Sequence, residues 1–340
     1  MSEPKIHHFV PRFYLRRFAN AKDQVAVRAR DGGAFTTSTR NVMARMGLYR
    51  VPRKKLTAEF TLGGLEDQSK AVVDQICSQG DLPWPGSDGR RCLALFMALQ
   101  LNRSPDTALR LEFARDVVEE FGSTSVSEDE MRRYLRDHVL GFPPRQPEVS
   151  AACDFVNFAA SRTDFPDRDA LAELRIQLMF DLSVKHVAPH LEARLWSLEV
   201  SRREDLITSD RPVTLWQPES GEDRYRGVGL MDALEVWFPL DPTRMLVLRK
   251  SGPERIRHIG PERVTLVNQH IARHCTNRIV FHPTTERAGL IPLAHRRPTM
   301  RFWEGPVFDG QSGAPLPGEV IHFWSPLRDI PDGVIDPYAH

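Results

Sequence analysis

Between about residues 58 and 192 the apolar side chains recur at helical spacing, while the segments on either side alternate at strand spacing. This switch of period restricts what the chain can become. A doubly wound sheet needs strands and helices to take turns along the sequence. Here they are segregated, so the expected class is α+β, with a central helical block packed with a mostly antiparallel sheet. The strands come from both ends of the chain, which favours a single domain over residues 1–295. Within it, residues 1–57 read as a helix plus hairpin, 58–192 as the helical block and 193–295 as β-rich with one helix, leaving 296–340 as a tail.

Local signals fill in this outline. Pro11 suits the first turn of a short helix bearing Phe13, Tyr14, Leu15 and Phe18. Val25–Arg30 and Ala34–Thr39 flank Asp31-Gly32-Gly33, which reads as a hairpin loop. Leu62, Leu65, Val72, Val73 and Ile76 share one helix face that Gly80 stops. Arg90–Asn102 is apolar nearly all round, as a centrally buried helix would be. Pro105 opens the next helix, and Ser127-Glu128-Asp129-Glu130 spells a capping box. Gly141 to Pro147 reads as a hinge, and Leu171–Val187 closes the block. Short strands are expected at Leu195–Val200, Leu206–Thr208, Val213–Trp216, Glu235–Phe238, Met245–Leu248 and Ile279–Phe281, with a helix over Glu262–Asn277. The tail keeps Trp303, Phe308, Phe323 and Trp324, so it is expected to wrap along the surface and pin itself by those rings.

Composition narrows the partners. With 46 basic against 45 acidic residues the net charge is +1, so no whole-protein field draws the chain to nucleic acid or an anionic membrane. No stretch approaches the roughly 18 uninterrupted apolar residues of a membrane helix. The opening residues carry no apolar signal region. Cys77, Cys92, Cys153 and Cys275 form no C-x-x-C pair and are expected to be buried thiols in a reducing, cytoplasmic setting. No P-loop is present, and Gly227-Val228-Gly229 is only a fragment of a dinucleotide fingerprint. The sequence specifies no cofactor, no metal site and no oligomeric state; a small polar ligand of unknown identity is the expected partner.

The run His7-His8-Phe9-Val10-Pro11-Arg12-Phe13-Tyr14-Leu15-Arg16-Arg17-Phe18 resembles the opening signature of a bacterial family known only as domain-of-unknown-function family 4238. Four later segments are similar in order and kind: Gly64-Leu65-Glu66, Leu99 to Pro105, Ile207 to Val213, and Phe238 to Pro242, with Asn268 on a helix beyond them. The family pattern has Asn where this chain has Arg211. The resemblance spans roughly residues 5–285 and implies a shared fold without an activity.

The chemistry is therefore weighed residue by residue. In a strand, His7 and His8 point to opposite faces, so one can face a site while the other packs. Such a histidine is either a hydrogen-bonded structural residue or a general base or metal ligand. Its setting also resembles the first histidine of HNH-type nucleases, although the following helix offers Arg12, Arg16 and Arg17 and no acid before Asp23. Asp210 in Thr208-Ser209-Asp210 is either a turn residue or a ligand or base, with Thr208 and Ser209 binding substrate. Arg103 ends an apolar helix, where its charge suits the helix dipole and its fork suits a carboxylate or phosphate. Glu66 near the start of its helix mirrors it. His270 and His274 stand one turn apart but lack the acid of a zinc-binding helix.

Three functions follow. In the first, a hydrolase-like enzyme acts on a polar or phosphate-bearing substrate, with His7, His8 and Asp210 catalytic and Arg12, Arg16, Glu66, Arg103, Thr208, Ser209 and Asn268 binding it. In the second, the same groups bind a small ligand without turnover. In the third, the signature only builds the fold of an interaction protein.

Overall fold

The computed structural model describes residues 6–30, 33–46, 58–103, 105–140, 143–162, 168–203, 205–218, 228–291, 293, 299–304 and 319–324. The loop residues Asp31 and Gly32, the side chain of His7, Gly141, Phe142, Gly227, and the rings of Trp303, Phe308, Phe323 and Trp324 lie outside that description.

In chain order the elements are β1 (Ile6–His8), α1 (Arg12–Leu15), β2 (Gln24–Ala29), β3 (Ala34–Ser38), β4 (Ala44–Met46), α2 (Ala58–Gln79), α3 (Asp88–Asn102), α4 (Pro105–Phe121), α5 (Glu128–Tyr134), α6 (Gln146–Arg162), α7 (Arg168–Leu182), α8 (Ala188–Glu192), β5 (Leu195–Ser201), β6 (Thr208–Ser209), β7 (Thr214–Trp216), β8 (Glu235–Asp241), β9 (Arg244–Arg249), β10 (Ile256–Ile259), α9 (Pro261–His274), β11 (Arg278–Phe281), β12 (Thr299–Glu304) and β13 (Glu319–Trp324). A π-helical turn, Ser183–Val187, joins α7 to α8. The class is α+β. The chain forms two compact units, one of Met1–Ser104 with Ile176–Ala294 and one of Pro105–Arg175 with His295–His340.

In the first unit the described strands divide between two larger sheets. One runs β10-β5-β9-β8-β7 and is antiparallel apart from the parallel β10–β5 pair. The other, β3-β2-β11-β6, is antiparallel throughout and mixes strands from both ends of the chain, as the sequence suggests. Strands β2 and β3 pair antiparallel, with Gln24 opposite Ser38 and Arg28 opposite Ala34.

Two sheets form because the central strands bury both faces. Val236, Phe238, Leu240, Leu246 and Leu248 enter a core shared with Tyr14, Leu15, Phe18, Ile76, Leu93 and Phe96. The alternate residues Trp237, Met245 and Val247 enter a second core with Val267 and Ile271 of α9 and Ile279 of β11. A strand covered on both sides reads as an almost unbroken apolar run. Helix α3 is buried nearly all round. Its Leu93, Phe96 and Met97 meet the first core, while Leu99 packs with Leu62 and Met179. Gly80, at φ +78, ends α2 as expected.

The second unit consists of α4, α5, α6 and the β12–β13 hairpin. The capping box of α5 forms in full, with Ser127 and Glu130 each satisfying the other's backbone N–H. The Tyr134 ring meets Phe113 and Phe121 at 5.7 and 6.3 Å. Part of the tail pairs with itself, from Thr299 opposite Trp324 to Glu304 opposite Glu319. Among the described residues no helix is long and apolar enough to cross a membrane.

Candidate site around His8

Two hydrogen-bonded knots take up the polar residues singled out by the sequence. The first surrounds the N-terminal segment. His8 lies on the three-residue strand β1, which pairs with β4. Arg103 follows the last residue of α3, with only 4% of its side chain exposed. Its guanidinium donates to Glu66 Oε1 at 3.1 Å and to the His8 carbonyl at 3.1 Å. Gln100, one turn back, is oriented by its neighbours so that its amide donates to the Phe9 carbonyl at 3.3 Å and accepts from Arg103 at 3.0 Å. Asn102 donates to Ser183 at 2.9 Å, so the π-helical turn fixes the end of α3 from behind.

Arg12, on α1, also acts on the His8 ring through its charge. It donates to Thr39 Oγ1 at 3.1 Å and to Asp23, and the exposed Arg16 also reaches Asp23, at 3.3 Å. Burial pushes the Asp23 carboxyl up, but hydrogen bonds from Arg12 and Thr39 outweigh it and hold the group below its ordinary value. Arg12, Arg16 and Arg103 set against Asp23 and Glu66 leave one net positive charge when His8 is neutral. The structure thus brings His8, Arg12, Arg16, Glu66 and Arg103 together.

The setting of His8 favours its neutral form. Burial lowers its pKa below the ordinary histidine value, and the charges of Arg12 and Arg103 add to that; backbone groups of Thr39 and Arg40 pull the other way. Nε2 is buried and has no hydrogen-bond partner.

The second knot is built on Tyr14 and Asp210. The fully buried Tyr14 hydroxyl donates to the Pro239 carbonyl and meets Thr208 Oγ1, each at 2.7 Å. Burial pushes that hydroxyl far above its ordinary pKa, so it stays protonated. Asp210 accepts from the backbone N–H groups of Thr276, Asn277 and Arg278 at 2.7, 2.6 and 3.1 Å. Burial raises its pKa, against the pull of those three donors and of Arg211. Ser209 closes a turn on the backbone of Arg211, and Asn268 ties Ile207 to Asp205. Asp210, Thr208, Ser209 and Asn268 therefore hold backbone or buried hydroxyl groups, and among the described residues Asp210 and His8 share no hydrogen-bond partner.

A third cluster shows little in the sequence. Glu199, fully buried on β5, receives Arg249 at 2.6 Å, Arg263 at 3.0 Å and Arg257. Glu235 on β8 receives Arg249 at 2.8 Å, Arg263 at 2.5 Å and the Trp237 indole at 2.5 Å. His270 and His274 lie with ring centroids 4.0 Å apart and contact the Leu215 and His270 carbonyls. Among the described residues no group of three His, Cys, Asp or Glu could hold a metal.

A family model described as protein of unknown function (DUF4238) matches residues 6–285 of the chain. No curated protein and no solved structure matches it.

Proposed function

The chain belongs to the DUF4238 family of proteins of unknown function, and from the state of His8 in its opening run we propose that it binds a small phosphate-bearing or similarly polar substrate beside His8 and hydrolyses it. The observation carrying this reading is the orphaned Nε2. A buried polar atom left without a partner costs about 1–3 kcal/mol, and each such atom in a folded protein asks for an explanation. In every other described segment of the signature, side chains are engaged with backbone or with each other. Among the described residues, His8 is the histidine with a buried ring nitrogen left unpartnered, within the field of two guanidinium groups.

In this reading the imidazole carries its proton on Nδ1, toward the Thr39 and Arg40 backbone, and keeps its lone pair on Nε2. Nε2 takes a proton from a water molecule, whose oxygen forms the new bond to the substrate's phosphorus. The bond to the leaving group breaks, and the imidazolium returns the proton to that group. Arg12 and Arg103 supply the positive field for the phosphate oxygens. Nε2 is covered in this conformation, so substrate enters when β1 parts from β4. A ribbon of three residue pairs is marginal on its own and opens at low cost.

His8→Asn separates the roles. Its amide nitrogen can replace Nδ1 as donor, while nothing replaces Nε2. Thermal stability is expected to stay level or rise by up to about 1 kcal/mol. Stabilisation by inorganic phosphate and turnover of p-nitrophenyl phosphate are expected to vanish. Phosphate stabilisation without turnover in the wild type would favour a binding module, and a variant destabilised by more than about 2 kcal/mol would mark His8 as structural.

The sign of the pH dependence is fixed by the lowered pKa. Below the ordinary histidine value the unfolded chain binds a proton that folded His8 refuses, so this contribution to stability is present above about pH 6.5 and is lost as pH falls. Turnover should fall over the same range, because the base must be unprotonated.

A further inference from the structure

We propose that Arg194 anchors a second binding site, for a small monocarboxylate, at the turn formed by residues 229–233. The argument starts from how the other buried arginines are compensated. Arg90 pairs with Glu254, and Arg103 with Glu66. Arg30 donates to carbonyls at the end of α9, where the helix dipole is negative. Arg194 is as deeply placed, 8% exposed, yet among the described residues no carboxylate pairs with it. Its Nη2 donates to the carbonyls of Leu230 and Ala233 at 2.6 and 3.0 Å, and its Nη1 is buried with no partner.

Asp232 stands in the same turn but does not serve. Its Oδ2 lies 3.0 Å from the place a Cβ on Gly229 would occupy, turned back toward that glycine. Buried charges are normally paired, because an isolated ion in a low-dielectric setting costs several kcal/mol. The guanidinium therefore lacks one unit of negative charge. A carboxylate carries one charge and accepts well from a guanidinium nitrogen. A phosphate dianion would leave an excess charge buried in its place, which separates this site chemically from the one at His8.

Access comes through the turn itself. Asp232 and Ala233 donate back to the Gly229 carbonyl at 3.2 and 2.9 Å, and Met231 and Leu234 stand exposed beside them. A carboxylate reaches Nη1 when that turn shifts, and the two apolar side chains cover its hydrocarbon part.

The experiment measures thermal stability of the whole protein in sodium acetate, sodium phosphate and sodium chloride at matched ionic strength. The expected result is a saturable acetate-dependent rise in Tm beyond the chloride curve. Arg194→Met should abolish it, Arg194→Lys should weaken acetate binding at least tenfold, and Asp232→Asn and His8→Asn should leave it intact. An acetate response lost in Asp232→Asn, retained in Arg194→Met, or absent from the wild type would overturn the proposal. If Arg194→Met does not fold, full retention in Arg194→Lys has the same force. Because His8→Asn removes the phosphate response alone, failure at one site is distinguishable from failure at the other.

Discussion

Replacing Glu199 with alanine should destabilise the protein by about 3–5 kcal/mol, the range for breaking a buried ion pair by removing one partner. Glu199 is fully buried and gathers Arg249, Arg257 and Arg263 from β9, β10 and α9. Without it, Glu235 is left as the one carboxylate, among the described residues, that pairs with any of the three, through Arg249 and Arg263. Arg257 loses its carboxylate partner, while Arg263 keeps Glu235 and its place over Trp237, the guanidinium carbon 4.7 Å from the ring centroid. Glu199→Gln keeps an acceptor while losing the charge, and should fall between wild type and Glu199→Ala. Urea denaturation measures both. A loss below about 1 kcal/mol for the alanine variant would put this network in the class of surface ion pairs.

Asp210→Ala should have an effect of similar size, about 3–5 kcal/mol. It orphans three backbone N–H groups, each worth roughly 1–3 kcal/mol when buried and unsatisfied. Their costs do not simply add, because the 276–278 segment relaxes as a unit. Asp210→Asn retains an acceptor and should cost less. The Asp210 carboxylate faces Thr276, Asn277 and Arg278, so both changes act on the join between α9 and β11. Turnover at His8 should survive in whatever fraction of Asp210→Asn stays folded. A fully stable Asp210→Ala that had lost turnover would instead make Asp210 part of the chemistry.

Much of the fold could be read from local signals. Gly80 stops α2, Ser127 and Glu130 cap α5, and β2 and β3 pair as a hairpin because each rule acts over a few residues. The parallel partner of β5 escaped notice. Ile256-Arg257-His258-Ile259 is half exposed, with its two polar residues adjacent and no alternating apolar pattern, and nothing nearby says which strand it joins. The division into two sheets depends on α9 covering the Trp237 side of β8, a contact between distant segments.

The site was legible in part. Polar residues at helix and strand ends stood out, yet the sequence could not separate a residue that holds backbone from one that faces a substrate. Asp210 and Asn268 hold backbone, and Tyr14 explains why the opening run, the Thr-Ser-Asp segment and the Phe-Pro-Leu-Asp segment occur together. Gln100 and Thr39 join the His8 knot from positions that read as ordinary helix and loop. Glu199 is not distinguished by its sequence, because its arginines come from three separate elements and no spacing rule connects them.

The sharpest test is the imidazole of His8, followed by nitrogen-15 NMR across pH with and without inorganic phosphate. The account expects a neutral ring with its proton on Nδ1, a pKa below about 6.5, and a signal that moves upward in pKa as phosphate binds. A ring protonated on Nε2, or one titrating at or above the ordinary value and indifferent to phosphate, would contradict it.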